Sequence, residues 1–285
     1  MSAARPRVPP VAYRTAQRSA RGVGRLTAAA RVLPSFLIIG GQRCGTTSMF
    51  KALRQHPATL APVLHKGVHY FDVHYDRSLN WYRGHFPLRT TALRTRGQAF
   101  ESSPYYMFHP LAGERIARDL PGVRLLVLVR DPVERAHSAH AHELARGYET
   151  ITSFEEAIER EPERLAGLDD WLRAHPHEQS HAHRHHGYLA RGRYIDHLER
   201  LAALVGQDNI LVVDSHDFFT NPEPVHDRVV SFLGLPPAAY PVFDRHNSRE
   251  RSALPPALYR RLSEQFEPYD EKLAAWTGVT PSWRR

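Results

Sequence analysis

The sequence predicts an α/β fold, a P-loop-like three-layer domain with a mostly parallel central sheet flanked by helices. Three observations lead there. Short apolar runs rich in branched residues, "FLII" (36–39), "VRLLVLV" (123–129) and "NILVVD" (209–214), alternate with segments of helical period. Such continuous apolar runs fit strands covered on both faces, as a parallel sheet requires. The first run leads directly into "GGQRCGTT" (40–47), a glycine-rich turn that opens a helix. Finally, 285 residues with 42% hydrophobic content can build one sizeable core, and there is no internal repeat.

Taken in order, a first strand is expected near 35–40 and a helix near 45–55. Met49, Phe50 and Leu53 form the apolar face of that helix, and His56-Pro57 ends it. "VHYFDVHY" (68–75) reads as a short strand or extended turn. "LNWYRGHFP" (79–87) is aromatic-rich and stops at a proline, and "QAFESSPYY" (98–106) is a strand entering a turn. A helix over 109–119 ends at Pro121-Gly122. The strand at 123–129 is the most apolar and therefore central, and Pro132 sits well in the first turn of the helix after it. Helices follow near 153–160 and 186–204, then a strand at 209–214. Asn221-Pro222 opens a helix that Gly234 closes, and a last helix spans about 255–274.

The net charge of +8 is unevenly distributed: residues 1–35 hold seven arginines and no acid, so the rest of the chain is nearly neutral. That asymmetry, and the lack of basic–aromatic interleaving, argue against a nucleic-acid partner. Residues 1–33 are expected to be a basic, disordered tail and 34–285 the domain. The tail lacks the apolar stretch of a signal peptide. No apolar run reaches the ~20 residues of a membrane span. The single cysteine, Cys44, excludes an internal disulfide and fits a reducing, cytoplasmic setting. An oligomeric state is not defined by these features.

The loop 40–47 carries the chemistry. Gly40 and Gly45 have P-loop spacing and Thr47 stands at the hydroxyl position, but Thr46 fills the lysine slot and Arg43 lies inside the loop. Backbone N–H groups and the helix N-terminus make an anion site of Gly41, Gln42, Arg43, Cys44, Gly45, Thr46 and Thr47. With the cation moved, Mg²⁺-dependent hydrolysis of ATP is a poor fit. Cys44 could have a lowered pKa in such a loop, but reads as a small, tolerated residue. A second stretch, "VLVRDPVERAHSAH" (127–140), puts Arg130 at a strand end and Ser138 two turns into a helix. The two could converge on one phosphate. Alternatively Arg130 pairs with Asp131 or Glu134 and Ser138 is helix surface.

Together these motifs resemble the sulfotransferases that use 3′-phosphoadenosine 5′-phosphosulfate (PAPS), particularly the heparan-sulfate-type branch and its bacterial relatives. "VHYFD" (68–72), "NWYRGHFP" (80–87), "ESSPYY" (101–106), "RGRYIDHLERL" (191–201) and "NILVVDSHDFFTNPEPVHDRVVSFLGL" (209–235) extend the resemblance from about 34 to 275. It implies that loop 40–47 cradles the 5′-phosphosulfate and that Arg130 and Ser138 bind the 3′-phosphate. It also implies that no metal is required. Arg43 stands where relatives often have lysine, and Lys66 is a second candidate cation. The family glutamate thought to be the catalytic base is replaced by Gly67. His69 is the expected substitute, oriented by Asp72 or Glu101, with Glu101 as the alternative base. In "HNSRERSALPP" (246–256), Arg249 matches a basic loop over the nucleotide. The expected acceptor is a hydroxyl of a carbohydrate or glycosylated small molecule. Trp81, Tyr82, Tyr105 and Tyr106 could stack on a sugar or pack in the core. The cluster His175–His186 is expected to be a solvated or acceptor-facing loop rather than a metal site. The rival functions are a P-loop kinase or NTPase, and a non-catalytic binder of PAPS or its product.

Overall fold

The computed structural model describes residues 22–244 and 253–285. Five parallel strands, β1 (Phe36–Ile38), β2 (Thr59–Leu60), β3 (Gln98–Ser102), β4 (Arg124–Val129) and β5 (Ile210–Asp214), form one sheet in the order β2-β3-β1-β4-β5. β1 lies between β3 and β4, with Phe36 opposite both Phe100 and Arg124. All three residues of β1 are fully buried, as are Leu125 to Leu128 of β4, so apolar runs without alternation mark the sheet centre. Phe36 stacks on Phe100 with ring centroids 4.8 Å apart. Two helices well marked in the sequence have the expected caps: Pro132–Ala145 begins with Asp131 accepting from the Val133 and Glu134 amides, and Pro222–Leu233 ends at Gly234 in the left-handed conformation.

The topology selects the site. After β1 the chain runs to β2 and β3 on one side, and after β4 to β5 on the other. Loops 39–45 and 130–131 therefore flank a switch point at the carboxyl edge of the sheet, where open α/β sheets bind ligands. The end of β3 opens on the same edge because the strands are parallel.

Three expectations need correction, and one strand was not foreseen. Residues 68–75 are neither strand nor extended: the amides of Val73 and His74 both donate to the His69 carbonyl, and His69 has φ 54°. The amides of Val68 and Tyr70 are taken by the Glu101 carboxylate and the Tyr106 hydroxyl rather than by a ladder. The helix expected over 186–204 is interrupted, with short helical pieces at His181–His185 and Ala190–Gly192 before the helix Tyr194–Val205. The two-residue edge strand β2 is too short to have a periodicity signal. Of the segment 1–33 expected as a disordered tail, residues 22–33 are folded: Arg31 donates to the Phe86 carbonyl, and the Val32 amide to Pro87. Residues 1–21 lie outside the described residues.

Candidate active site

The anion loop is shaped by exclusion of side chains. A Cβ on Gly40 would collide with the Leu128 backbone, and one on Gly41 would lie 2.8 Å from the Cys44 sulfur. The Gly41 amide donates to the Leu128 carbonyl, tying the loop to β4. Arg43 and Gly45 take positive φ, 72° and 85°, and Gly45 is the N-cap of the helix Thr46–Leu53. Glycine adopts this conformation freely, whereas Arg43 is held there by the fold.

The cation absent from the P-loop lysine slot arrives from elsewhere in the chain. Lys66 donates from Nζ to Thr46 Oγ1 and Thr47 Oγ1, each at 3.1 Å. Burial lowers its pKa to about 8, against the opposing pull of Glu101. Arg43 reaches in another direction, donating from Nε to Ser138 Oγ at 3.1 Å. The structure thus brings Arg43 and Ser138 together, and separately brings Lys66 to the two threonines. Arg130 is paired with Glu134 at 3.1 Å, both side chains about one-third exposed.

The Gln42 side chain is engaged at both ends. Its Nε2 donates to Glu143 Oε1 at 2.6 Å, and its Oε1 accepts from Arg191. Cys44 is fully buried against the Tyr194 hydroxyl, and burial pushes its thiol up rather than down, so it is no activated nucleophile. Arg249 lies outside the described residues, as do Asn247 and Arg251.

Glu101, one residue before the end of β3, is fully buried. Its Oε2 accepts from the Val68 amide at 2.6 Å and the Ser103 hydroxyl at 2.7 Å. Its Oε1 accepts from the hydroxyls of Tyr82 at 2.9 Å and Tyr106 at 2.8 Å. Burial pushes the carboxyl up in spite of these donors. With four donors on two oxygens and no exposure, Glu101 is an anchor for the 66–69 segment, not an accessible base. Tyr82 and Tyr106 are correspondingly core residues rather than a sugar platform. Tyr105 is also buried and shares a 2.6 Å hydrogen bond with His183. Trp81 remains partly exposed.

His69 emerges from this anchored segment with its side chain one-third exposed. Its Nδ1 lies 2.9 Å from Asp72 Oδ2, and the Asp72 side chain is fully buried. Burial disfavours charge on His69, but Asp72 outweighs it and holds the imidazole pKa above its ordinary 6.5. Burial likewise opposes ionisation of Asp72, yet His69 and the Val73 amide keep its pKa below the usual range. His69 Nδ1 thus faces a carboxylate, which orients the ring and leaves Nε2 as the nitrogen that can exchange a proton outside the pair. At Gly67, a Cβ would sit 2.5 Å from the Ser102 carbonyl oxygen. The backbone of β3 occupies the place a side chain would need.

Of the histidines of 175–186, His181, His185 and His186 gather beside Tyr148, the His181 ring centroid lying 4.7 Å from that of His185 and 5.1 Å from that of His186, whereas His183 turns to Tyr105. His183 is bound by Tyr105 and Asp169, His185 by Glu143, and His181 and His186 meet the Tyr148 carbonyl. Among the described residues, no group of three His, Cys, Asp or Glu side chains is placed to hold a metal. The sequence reading missed Arg135, fully buried and directed at the Tyr188 and Gln42 carbonyls, and Tyr194, whose hydroxyl donates to the Arg130 carbonyl at 2.8 Å. Both lie inside recognised motifs; their burial, not their type, reveals that they brace the two loops.

A parallel sheet with an anion loop at its switch point, and a lysine and a histidine on one anchored segment beside it, defines a group-transfer domain. Residues 33–254 match the sulfotransferase domain family, and the chain belongs to it. It is 30% identical over 217 residues to human bifunctional heparan sulfate N-deacetylase/N-sulfotransferase 3, a match covering 72% of this chain and 23% of that protein. The chain therefore spans under a quarter of that bifunctional relative. Heparan sulfate glucosamine 3-O-sulfotransferase 6 of Mus musculus is 28% identical over 291 residues, with 93% of this chain and 76% of that protein covered. Among solved structures, the sulfotransferase from Alicyclobacillus acidocaldarius superposes with a TM-score of 0.65 at 26% identity, covering 89% of this chain and all of that one.

Proposed function

We propose that this protein transfers a sulfuryl group from PAPS to a hydroxyl of a carbohydrate or glycosylated small molecule, with His69 as the general base. The observation that carries this reading is the placement of two functional side chains on one short segment. Lys66 reaches the anion loop, while His69, three residues on, presents an Asp72-oriented imidazole.

The residues fit a phosphosulfate at the loop. Side chains are excluded at Gly40 and Gly41, the amides at the start of the helix Thr46–Leu53 face the loop, and Lys66 adds a cation on the Thr46 and Thr47 hydroxyls. PAPS supplies an activated sulfuryl group on a phosphate leaving group, and His69 would activate the acceptor hydroxyl, so this reading calls on no metal. Lys66, Thr46 and Thr47 would hold the 5′ end and stabilise charge growing on the leaving oxygens. Arg130 and Ser138 would hold the 3′-phosphate; Arg43, expected on the leaving oxygens of the 5′-phosphosulfate, donates to Ser138 and so would join them. Arg130 must leave Glu134 to do so. An exposed i,i+4 ion pair is worth about 0.3–0.5 kcal/mol, whereas a hydrogen bond to a charged partner contributes about 1.5–3 kcal/mol, so the phosphate wins. His69 Nε2 would take the acceptor hydroxyl's proton, and Asp72 would stabilise the resulting imidazolium. His69 thereby does what Gly67 cannot.

The test is incubation of the full chain with PAPS and pools of hydroxyl-bearing saccharides and glycosides, with mass spectrometry for a sulfate increment. Sulfated product that disappears in His69→Ala supports the reading. Product formation undiminished in His69→Ala would refute the role of His69, and no product from any hydroxyl acceptor while amines are sulfated would refute the acceptor class.

A further inference from the structure

We propose that the flank formed by residues 23–31, the Val63–Leu64 loop and the helix Arg89–Thr95 is a docking surface for an anionic phospholipid membrane. It stands apart from the candidate active site. Its larger part lies at the amino edge of the sheet, since Leu33 precedes β1 and Gly97 precedes β3, whereas the anion loop lies at the carboxyl edge; the Val63–Leu64 loop, which leaves the carboxyl end of β2 and leads to Lys66, is its nearest approach to the site.

Two depressions meet there and share Arg31. One, of about 230 Å³, lies between residues 23–31, the Val63–Leu64 loop and Trp81–His85. The other, of about 490 Å³, lies against the helix Arg89–Thr95. Arg25, Arg31, Arg83 and Arg89 line them, and no acidic side chain lines either. The Nε of Arg83 is buried with no hydrogen-bond partner among the described residues, a donor that an entering anion would satisfy. The two segments are fixed to each other by the Arg31–Leu88 bridge and by the Arg31 hydrogen bond to the Phe86 carbonyl. The flank is therefore a built surface and not a pair of loose ends.

The apolar side chains decide the kind of partner. Val23 is 55% exposed, Val63 60% and Leu93 79%, all lining these same depressions, and the helix Arg89–Thr95 buries none of its residues. A soluble polyanion would use the arginines alone and leave the valines and leucine in water. A bilayer interface uses both, taking apolar side chains at the acyl boundary while arginines meet phosphate headgroups. A second copy of this face is opposed by like charge. Residues 1–21 cannot neutralise it either, since they carry five further arginines and no acid. They add to the same attraction.

Co-sedimentation of the full chain with vesicles tests the proposal. The chain should bind vesicles of phosphatidylglycerol and phosphatidylcholine in equal parts, and should not bind phosphatidylcholine alone. At about fivefold in affinity per arginine near an anionic surface, Arg89→Glu should weaken binding at least that much. Leu93→Asp should weaken it comparably, and Val63→Ser more mildly. Arg89 and Leu93 are exposed on a helix that buries none of its residues, so in these two variants melting temperature and nucleotide binding should be unchanged, which separates this outcome from any failure of the sulfuryl-transfer reading. Equal binding to both vesicle types would overturn the proposal. So would vesicle binding undiminished in the Arg89→Glu/Leu93→Asp double variant, which would assign the attraction to residues 1–21. Binding to soluble dextran sulfate without binding to anionic vesicles would replace the membrane with a polysaccharide.

Discussion

His69 and Lys66 are three residues apart, and their protonation needs are opposite. A base must be neutral and a leaving-group cation must be charged. Asp72 raises the His69 pKa above 6.5, so activity should rise with pH through a midpoint above that value. Burial lowers Lys66 to about 8, so activity should fall again as the pH passes that point. The expected profile of kcat/KM, which reports the free enzyme, is a bell with its alkaline limb near 8. Asp72→Asn removes the charge that raises His69 and should move the acid limb to lower pH. His69→Ala should cost about 10²–10⁴-fold in turnover with nucleotide affinity retained. An acid limb that does not move in Asp72→Asn would show that another group titrates there. Lys66→Ala should abolish the alkaline limb and reduce turnover more than nucleotide binding, because the charge it meets develops in the transition state.

At the scale of the element, the 66–69 segment is held without a strand ladder of its own. The Ser102 amide donates to the Lys66 carbonyl, the Ser103 hydroxyl accepts from the His69 amide, and Glu101 accepts from the Val68 amide. Glu101→Gln would turn an amide N–H₂ toward at least one of its donors. Leaving a buried donor unsatisfied costs about 1–3 kcal/mol, so the variant should melt at a lower temperature and lose turnover together. Tyr82→Phe removes one donor and leaves the carboxylate with three, so its effect should be smaller. If Glu101→Gln kept its stability and lost only turnover with a shifted pH profile, Glu101 would be a base after all. Gly67→Glu should destabilise and not rescue His69→Ala, because its Cβ would meet the Ser102 carbonyl at 2.5 Å. A circular dichroism melt unchanged from wild type would contradict that packing argument.

For the whole molecule, the proposed phosphate sites, one on loop 39–45 and one at Arg130 and Ser138, would make a bound nucleotide a bridge between that loop and the helix Pro132–Ala145. Adenosine 3′,5′-bisphosphate should therefore stabilise the fold without Mg²⁺. At a hundredfold excess over its Kd a ligand adds about 2.7 kcal/mol, and a domain of this size gains about 2–4 °C per kcal/mol. Differential scanning calorimetry should show a rise of several degrees with the bisphosphate and much less with AMP at equal concentration. Equal shifts would remove Arg130, Ser138 and Arg43 from a 3′-phosphate site. None of the described helices is long and apolar enough to cross a membrane.

The sequence by itself determined the α/β class, the central strands, the anion loop and the family, because these rest on local pattern. An apolar run buried on both faces, a glycine turn that opens a helix, and Gly234 as a helix stop are each legible within a few residues. It also exposed Gly67 as a place where the pattern of the resembled family is broken, and offered His69 as the candidate to replace it. Only the tertiary structure decided where the side chains act. Lys66 meets Thr46 across 20 residues, Arg43 meets Ser138 across 95, and Val68 meets Glu101 across 33. Spacing in the chain contains no direction for such contacts. Thus the Gln42 side chain is held by Glu143 and Arg191, which leaves its backbone amide as the part expected at the anion site. Cys44 is sealed under Tyr194, and Glu101 is an anchor instead of a reserve base. His69 reaches Asp72 not by strand alternation but through a turn with positive φ, since Glu101 and Ser103 capture the amides a strand would have paired. Burial and long-range hydrogen bonding sort residues of the same type into anchors and reactive groups, and both come into being only when the sheet edge assembles.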